Sequence, residues 1–72
     1  MKLGLYKHYK GKLYNVISVA KHTETEELLV VYQALYGNYE YWIRPFDMFH
    51  ESVETNNIIQ PRFTYIGNNE LL

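Results

Sequence analysis

The chain contains no cysteine. No disulfide framework can staple it, and no zinc site built on thiolates is available. Glycine is sparse and isolated, at Gly4, Gly11, Gly37 and Gly67, so no Gly-rich loop can cradle a phosphate. The serines are Ser18 and Ser52, and neither stands in the Gly-x-Ser-x-Gly setting of a nucleophile elbow. The separations of His8, His22 and His50 fit no ligand motif, so no metal site and no cofactor are expected. No run approaches the roughly 18 apolar residues that a membrane helix requires. The stretch from Met1 to Lys7 lacks the apolar core of a signal peptide. These absences point to a soluble cytoplasmic protein with no membrane partner, and they make catalysis the lesser expectation.

At 72 residues there is room for one domain. It is expected to span 1–72, with a folded core over 4–66 and a frayed tail over 67–72. A domain of this size buries only about 60% of its unfolded surface, so a shallow groove is expected in place of a deep enclosed cavity. Aromatic residues make up 17% of the chain, and eight of them are tyrosines. Tyrosine suits a half-buried pleated surface, and it also gives large contact area at low entropy cost on a recognition surface. The net charge of −1 conceals a split: residues 1–22 carry +5 with no acid, and residues 23–72 carry −6. Such a split marks either a site for an anionic partner or two ends of one fold that attract each other.

The punctuation reads as short strands joined by tight turns. Leu5–Tyr9 is a first strand, turned at Lys10-Gly11. Leu13–Lys21 is a longer one, rich in Val and Ile. The polar run 23–27 is a loop. Leu28–Tyr36 is the strongest strand signal. Gly37-Asn38 then fits a two-residue hairpin turn with Gly at the first central position, and Tyr39–Arg44 returns. Pro45 cannot donate to a sheet ladder, so Pro45–Phe49 is expected as one helical turn, its Phe46 or Phe49 plugging an open end of the barrel. Glu51–Glu54 resumes as strand, Thr55–Pro61 is read as a loop, and Arg62–Ile66 as a last strand. The whole is an all-β fold of five to six short antiparallel strands, expected to close as a small SH3-like barrel, since closure removes exposed sheet edges.

With the segments laid out, the chain resembles a bacterial family called domain of unknown function 1653. The residues that carry the resemblance are Gly4-x-Tyr6-x-His8-Tyr9-Lys10-Gly11, Tyr14-x-Val16 and Ala20-x-His22-Thr23-Glu24-Thr25. They continue with Leu29-Val30-Val31-Tyr32, Leu35-Tyr36-Gly37, Trp42-x-Arg44-Pro45, Met48-Phe49 and Pro61-Arg62-Phe63. The likeness runs from about residue 4 to residue 66 without a gap. It implies a small β-barrel of the SH3 type and implies no activity.

A two-residue turn at Gly37-Asn38 would pair Tyr36 with Tyr39, Gln33 with Trp42, Tyr32 with Ile43 and Val31 with Arg44. Side chains alternate along a strand. One face would then hold Val30, Tyr32, Ala34, Tyr36, Tyr39, Tyr41 and Ile43. It has no charge and is the expected core, together with Val16. The other face would hold Gln33, Glu40, Trp42 and Arg44. An indole beside a guanidinium and an amide can floor a ligand site, offering stacking and fixed donors together. The alternative is that Trp42 packs in the core and Arg44 pairs with an acid such as Glu24 or Glu51.

Three functional classes follow. The leading one is a binding module for a small anionic ligand or peptide, using Trp42, Arg44 and Gln33 with the loop His22, Thr23 and Glu24. The second is a nucleic-acid or nucleotide binder using Lys7, His8, Tyr9, Lys10 and Lys12, where bases interleave with rings. The sequence pI of about 6.3 counts against it, because binders that rely on phosphate contacts are usually basic. The third is a small hydrolase or nuclease built on His22, Glu24 and Arg44. The partner expected is therefore a small ligand or a protein, with nucleic acid as the alternative.

Overall fold

The computed structural model describes residues 1–68. Along the chain run β1 (Gly4–His8), β2 (Leu13–Lys21), β3 (Leu28–Ala34), β4 (Tyr41–Pro45), α1 (Phe46–Phe49), β5 (Ser52–Thr55), β6 (Ile58–Pro61) and β7 (Phe63–Gly67). The first four strands form, with β7, a five-stranded antiparallel sheet in the order β4-β3-β2-β1-β7. β5 and β6 pair separately as a hairpin. The fold is all-β, as the residue pattern requires.

The expected barrel does not close. β4 and β7 are the two edges of the sheet and do not pair with each other. The chain between them is diverted: α1 lays Phe49 across the sheet, and the β5–β6 hairpin builds its own ladder. The strand count is also higher than expected. The stretch read as a loop over Thr55–Pro61 contains β6, which pairs Thr55 with Ile58 around Asn56-Asn57. Both asparagines take positive φ, 50° and 65°, as a two-residue hairpin turn of the mirror-image type demands and asparagine tolerates. β6 ends in Pro61, acceptable because that hairpin has open edges. Gly67 belongs to β7 and pairs with Leu5. Gly67 is thus not part of the frayed tail expected over 67–72, and residues 69–72 lie outside the described residues.

Alternation sets the core. Along β3, Val30, Tyr32 and Ala34 are buried while Leu29, Val31 and Gln33 between them are half-buried. Tyr6 and Val16 from the neighbouring strands, Phe49 from α1 and Phe63 from β7 complete the cluster. The single helical turn expected at Pro45 is there, and Phe49, only 1% exposed, is buried against the open sheet in place of plugging a barrel end. Its ring stacks on Phe63 with centroids 4.1 Å apart and planes 1° from parallel. Tyr6 and Tyr32 meet it edge-on at 5.4 Å each. Such ring pairs add about 0.5–1.5 kcal/mol each beyond area burial. An aromatic core of this kind compensates for small size.

The hairpin register differs from the expected one by a single residue. The turn centre is where the sequence puts it: Tyr39 N–H donates to Tyr36 O at 3.0 Å, and Gly37 has φ 58°. Just before it, however, Leu35 turns its N–H away to Leu13 O on β2 at 3.0 Å, and Ala34 N–H takes Glu40 O at 2.9 Å. The β3 side therefore carries one residue more than the returning side. Tyr32 pairs with Trp42, Val31 with Ile43 and Val30 with Arg44. A slip of one residue turns every side chain to the other face. Ile43, expected in the core, is 64% exposed, and Tyr36, Tyr39 and Tyr41 are exposed too. Trp42 and Arg44 join the face of Tyr32.

Candidate binding cleft

The corrected register builds a cleft over the aromatic core. Tyr14 on β2 pairs with Ala34, so it shares the face of Tyr32 on β3 and of Trp42 and Arg44 on β4. Tyr36 closes the rim from the 35–40 loop. These five side chains line a hollow of about 220 Å³. Rings form most of its wall. Tyr14 lies edge-on to Tyr32, Tyr36 and Phe63, each with centroids 5.5 Å away. The aromatic stack of the core thus continues to the surface. Trp42 presents its ring at the rim, 48% exposed.

Polar groups are fixed by this packing. Arg44 Nε donates to Tyr32 Oη at 3.3 Å, and its guanidinium carbon sits 5.8 Å from the centroid of Phe63. A guanidinium against a ring face gains cation–π attraction. The ion pair among the described residues is Arg62–Glu51 at 3.8 Å; none involves Arg44. Its planar fork is held in place without a carboxylate to neutralise it. The Tyr14 and Tyr36 hydroxyls bond each other at 2.6 Å. Burial first, and then that bond, push the Tyr14 hydroxyl well above its usual value, so it stays protonated and uncharged. Lys12 Nζ stands 4.7 Å from the Tyr36 centroid, just beside the rim.

The other residues singled out in the sequence lie elsewhere. Gln33 is on the opposite face from Trp42 and Arg44 and spends its Nε2 donor on Tyr39 O at 3.1 Å, a consequence of the register shift. His22, Thr23 and Glu24 occupy the β2–β3 turn, at the other end of β3. There His22 Nδ1 accepts from the backbone N–H of Glu24 and of Thr25, at 3.1 and 3.3 Å. That is local turn chemistry of the side-chain-to-backbone kind, and no hydrogen bond or ion pair among the described residues joins His22 or Glu24 to Arg44.

The basic turn, by contrast, comes to the cleft. His8 N–H donates to Lys12 O at 2.8 Å and Gly11 N–H to His8 O at 2.7 Å, which closes the tight turn from β1 to β2. The His8 ring lies 4.5 Å from Tyr9, 5.0 Å from Phe63 and 6.3 Å from Tyr14. Burial, and then the charges of Arg62, Arg44 and Lys10, hold its imidazole below the usual value. Lys7, His8 and Tyr9 line a separate hollow of about 270 Å³ with Gln60 and Pro61. The residues that sequence reasoning missed are Tyr14, Tyr32 and Tyr36 as cleft walls. The only signal for them was the density of tyrosines, because their placement depends on the bulged register.

An open five-stranded antiparallel sheet capped by one helical turn, with an aromatic cleft at one end, defines the class of protein. Residues 4–65 match the family model described as a protein of unknown function, DUF1653, and the chain belongs to that family. A solved relative supports it: the crystal structure of a protein belonging to DUF1653 from Bordetella bronchiseptica. It is 37% identical with a TM-score of 0.87, covering 94% of this chain and 90% of that one. No curated protein is similar to the chain at a significant level.

Proposed function

We propose that the protein is a binding module whose Tyr14–Tyr36–Trp42–Arg44 cleft takes a small anionic group, a carboxylate or phosphate carried on a planar or apolar body. The observation that carries this reading is Arg44. Its guanidinium is oriented by Tyr32 and Phe63, faces a cleft of rings and has no acid paired to it among the described residues. A guanidinium fork matches a carboxylate or phosphate with two parallel hydrogen bonds, while the rings supply stacking surface for the rest of the ligand. A few fixed polar groups among aromatic walls are the usual makeup of a small-ligand site.

Trp42 is the only tryptophan, so its fluorescence reports on this cleft alone. Phenyl phosphate is expected to quench it saturably, and benzyl alcohol, which keeps the ring and lacks the charge, is not. Arg44→Lys keeps the charge but loses the fork, and should weaken phenyl phosphate binding about tenfold. Its melting temperature should fall by only about 5 °C, since one hydrogen bond of about 1 kcal/mol is removed. Equal quenching by benzyl alcohol and phenyl phosphate would refute the reading.

A further inference from the structure

The cleft and the basic β1–β2 turn form one surface, joined in sequence at Lys12–Tyr14 and in space at Tyr36. Lys12 stands over Tyr36, the ring that closes the cleft. His8 bridges the two, in edge contact with Tyr14 and under the charges of Arg44 and Lys10. Beyond it, Lys10 lies 5.8 Å from the Tyr9 ring centroid. Rings and cations therefore alternate from Trp42 and Arg44 through Tyr36 and Lys12 to Tyr9 and Lys10.

We propose that single-stranded nucleic acid lies along this surface, one unpaired base entering between Tyr36 and Trp42 while the neighbouring phosphates rest on Arg44, Lys12 and Lys10. The proposal rests on the cleft reading above and names its ligand class. Three observations carry it. The cleft, at about 220 Å³, falls below the roughly 300–1,000 Å³ of a pocket that encloses a drug-sized ligand. It is sized for one flat ring of a larger molecule whose remainder lies outside. The groups outside it are a row of cations with rings among them, the combination that tracks a phosphate backbone and stacks its bases without reading sequence. Glu24, Glu26 and Glu27 lie in the β2–β3 turn, Asp47 on α1 and Glu54 in the separate β5–β6 hairpin, and none of them lines the cleft. Glu51 is paired with Arg62. Glu40 lines a smaller neighbouring hollow that shares Tyr36 and Trp42 with the cleft, so its charge repels a phosphate chain from that side. The net charge of −1 matters less than this local field, because fields are screened beyond about 10 Å at ordinary salt. A duplex is disfavoured, since its stacked bases cannot enter a ring-lined cleft.

The test is fluorescence anisotropy of an end-labelled oligo(U) of about twelve nucleotides, with a duplex of equal length as control. The single strand should bind more tightly than the duplex. Its affinity should fall about tenfold between about 50 mM and about 200 mM salt, the response expected for two or three phosphate contacts on a single strand. Lys12→Gln, a surface change, should reduce the salt slope by about 0.7. Trp42→Leu should weaken binding at least about fivefold and leave the slope unaltered. If oligo(U) binds no more tightly than duplex, or Lys12→Gln and Trp42→Leu both leave its affinity unchanged, the proposal is overturned. The phenyl phosphate titration separates the two levels. Quenching of Trp42 by phenyl phosphate without oligo(U) binding sinks the nucleic-acid inference and leaves the cleft reading standing. Absence of both sinks both.

Discussion

The two ends of the five-stranded sheet carry hollows of opposite character. Where the β2–β3 turn meets α1, Glu27, Leu28, Pro45, Phe46, Asp47 and Met48 line about 480 Å³. At the other end, the cleft of Tyr14, Tyr32, Tyr36, Trp42 and Arg44 encloses less than half of that. The larger hollow is lined by two acids, Glu27 and Asp47, and by no base among the described residues. The smaller one has an oriented guanidinium, a hydrogen-bonded phenol pair and a floor continuous with the core. Volume does not make a binding site; convergent, preorganised polar groups among apolar walls do. The difference originates in the strands below. The cleft stands on three adjacent strands locked by ring packing, while the acidic hollow is walled by a turn and a four-residue helix.

The strongest way to break this comparison is to remove what the cleft stands on. Phe49→Ala deletes a fully buried ring that stacks on Phe63 and should cost about 3–5 kcal/mol. In a domain this small that is most of the stability. Met48→Ala, its exposed neighbour in the acidic hollow, should stay within about 0.5 kcal/mol. Chemical denaturation of both variants checks the contrast, and similar losses would mean that the two ends share one foundation.

Gly4 offers a second, smaller break. It pairs with Val16 at the start of β1, with φ 124°, and a Cβ there would lie 2.6 Å from Gly67 O. Gly4→Ala should therefore lose on the order of 2 kcal/mol through strain and displacement of β7. Gly11, where φ is 105° but a Cβ would meet nothing within 4 Å, should lose less on the same change. Thermal melts of the pair decide it; equal losses would show that backbone conformation, and not the close approach to Gly67, sets the requirement.

How much of this was legible beforehand depends on the range of the forces involved. The strand positions, the helical turn at Pro45 and the burial of Val16, Val30, Tyr32, Ala34 and Phe49 follow from alternation and proline chemistry, which act locally. The open edges do not, because closure depends on whether β4 and β7 meet, and nothing local decides that. The β6 strand was readable in principle, since Asn56-Asn57 is a turn pair set between Glu54-Thr55 and Ile58-Ile59. The cleft is half legible: Trp42 and Arg44 stand out by residue type, while the expected register groups Gln33 with them and puts Tyr36 in the core. The structure differs on both faces because of Leu35, whose N–H bonds to Leu13 on the neighbouring strand. That bond is nonlocal, and it shifts the register by one.

The smallest expected effect is on pH dependence. His8 is held below its usual value by burial and by Arg62, Arg44 and Lys10. The unfolded chain therefore binds this proton more readily than the folded one. Stability contributed by neutral His8 is fully present above the unfolded value, about 6.5, and is lost as pH falls from there toward the folded value. The melting temperature should decline between about pH 7.5 and about pH 5, and less steeply in His8→Gln. An identical decline in the variant would remove His8 from the account.

The contrast between the two ends is tested most directly by two-dimensional NMR of the isotope-labelled protein titrated with phenyl phosphate. The expected shifts are at the indole N–H of Trp42, the Nε–H of Arg44 and the backbone amides of Tyr14 and Tyr36, saturating together with one dissociation constant. Shifts centred on Glu27, Leu28 and Met48, or a spectrum that does not change, would contradict the assignment of function to the cleft.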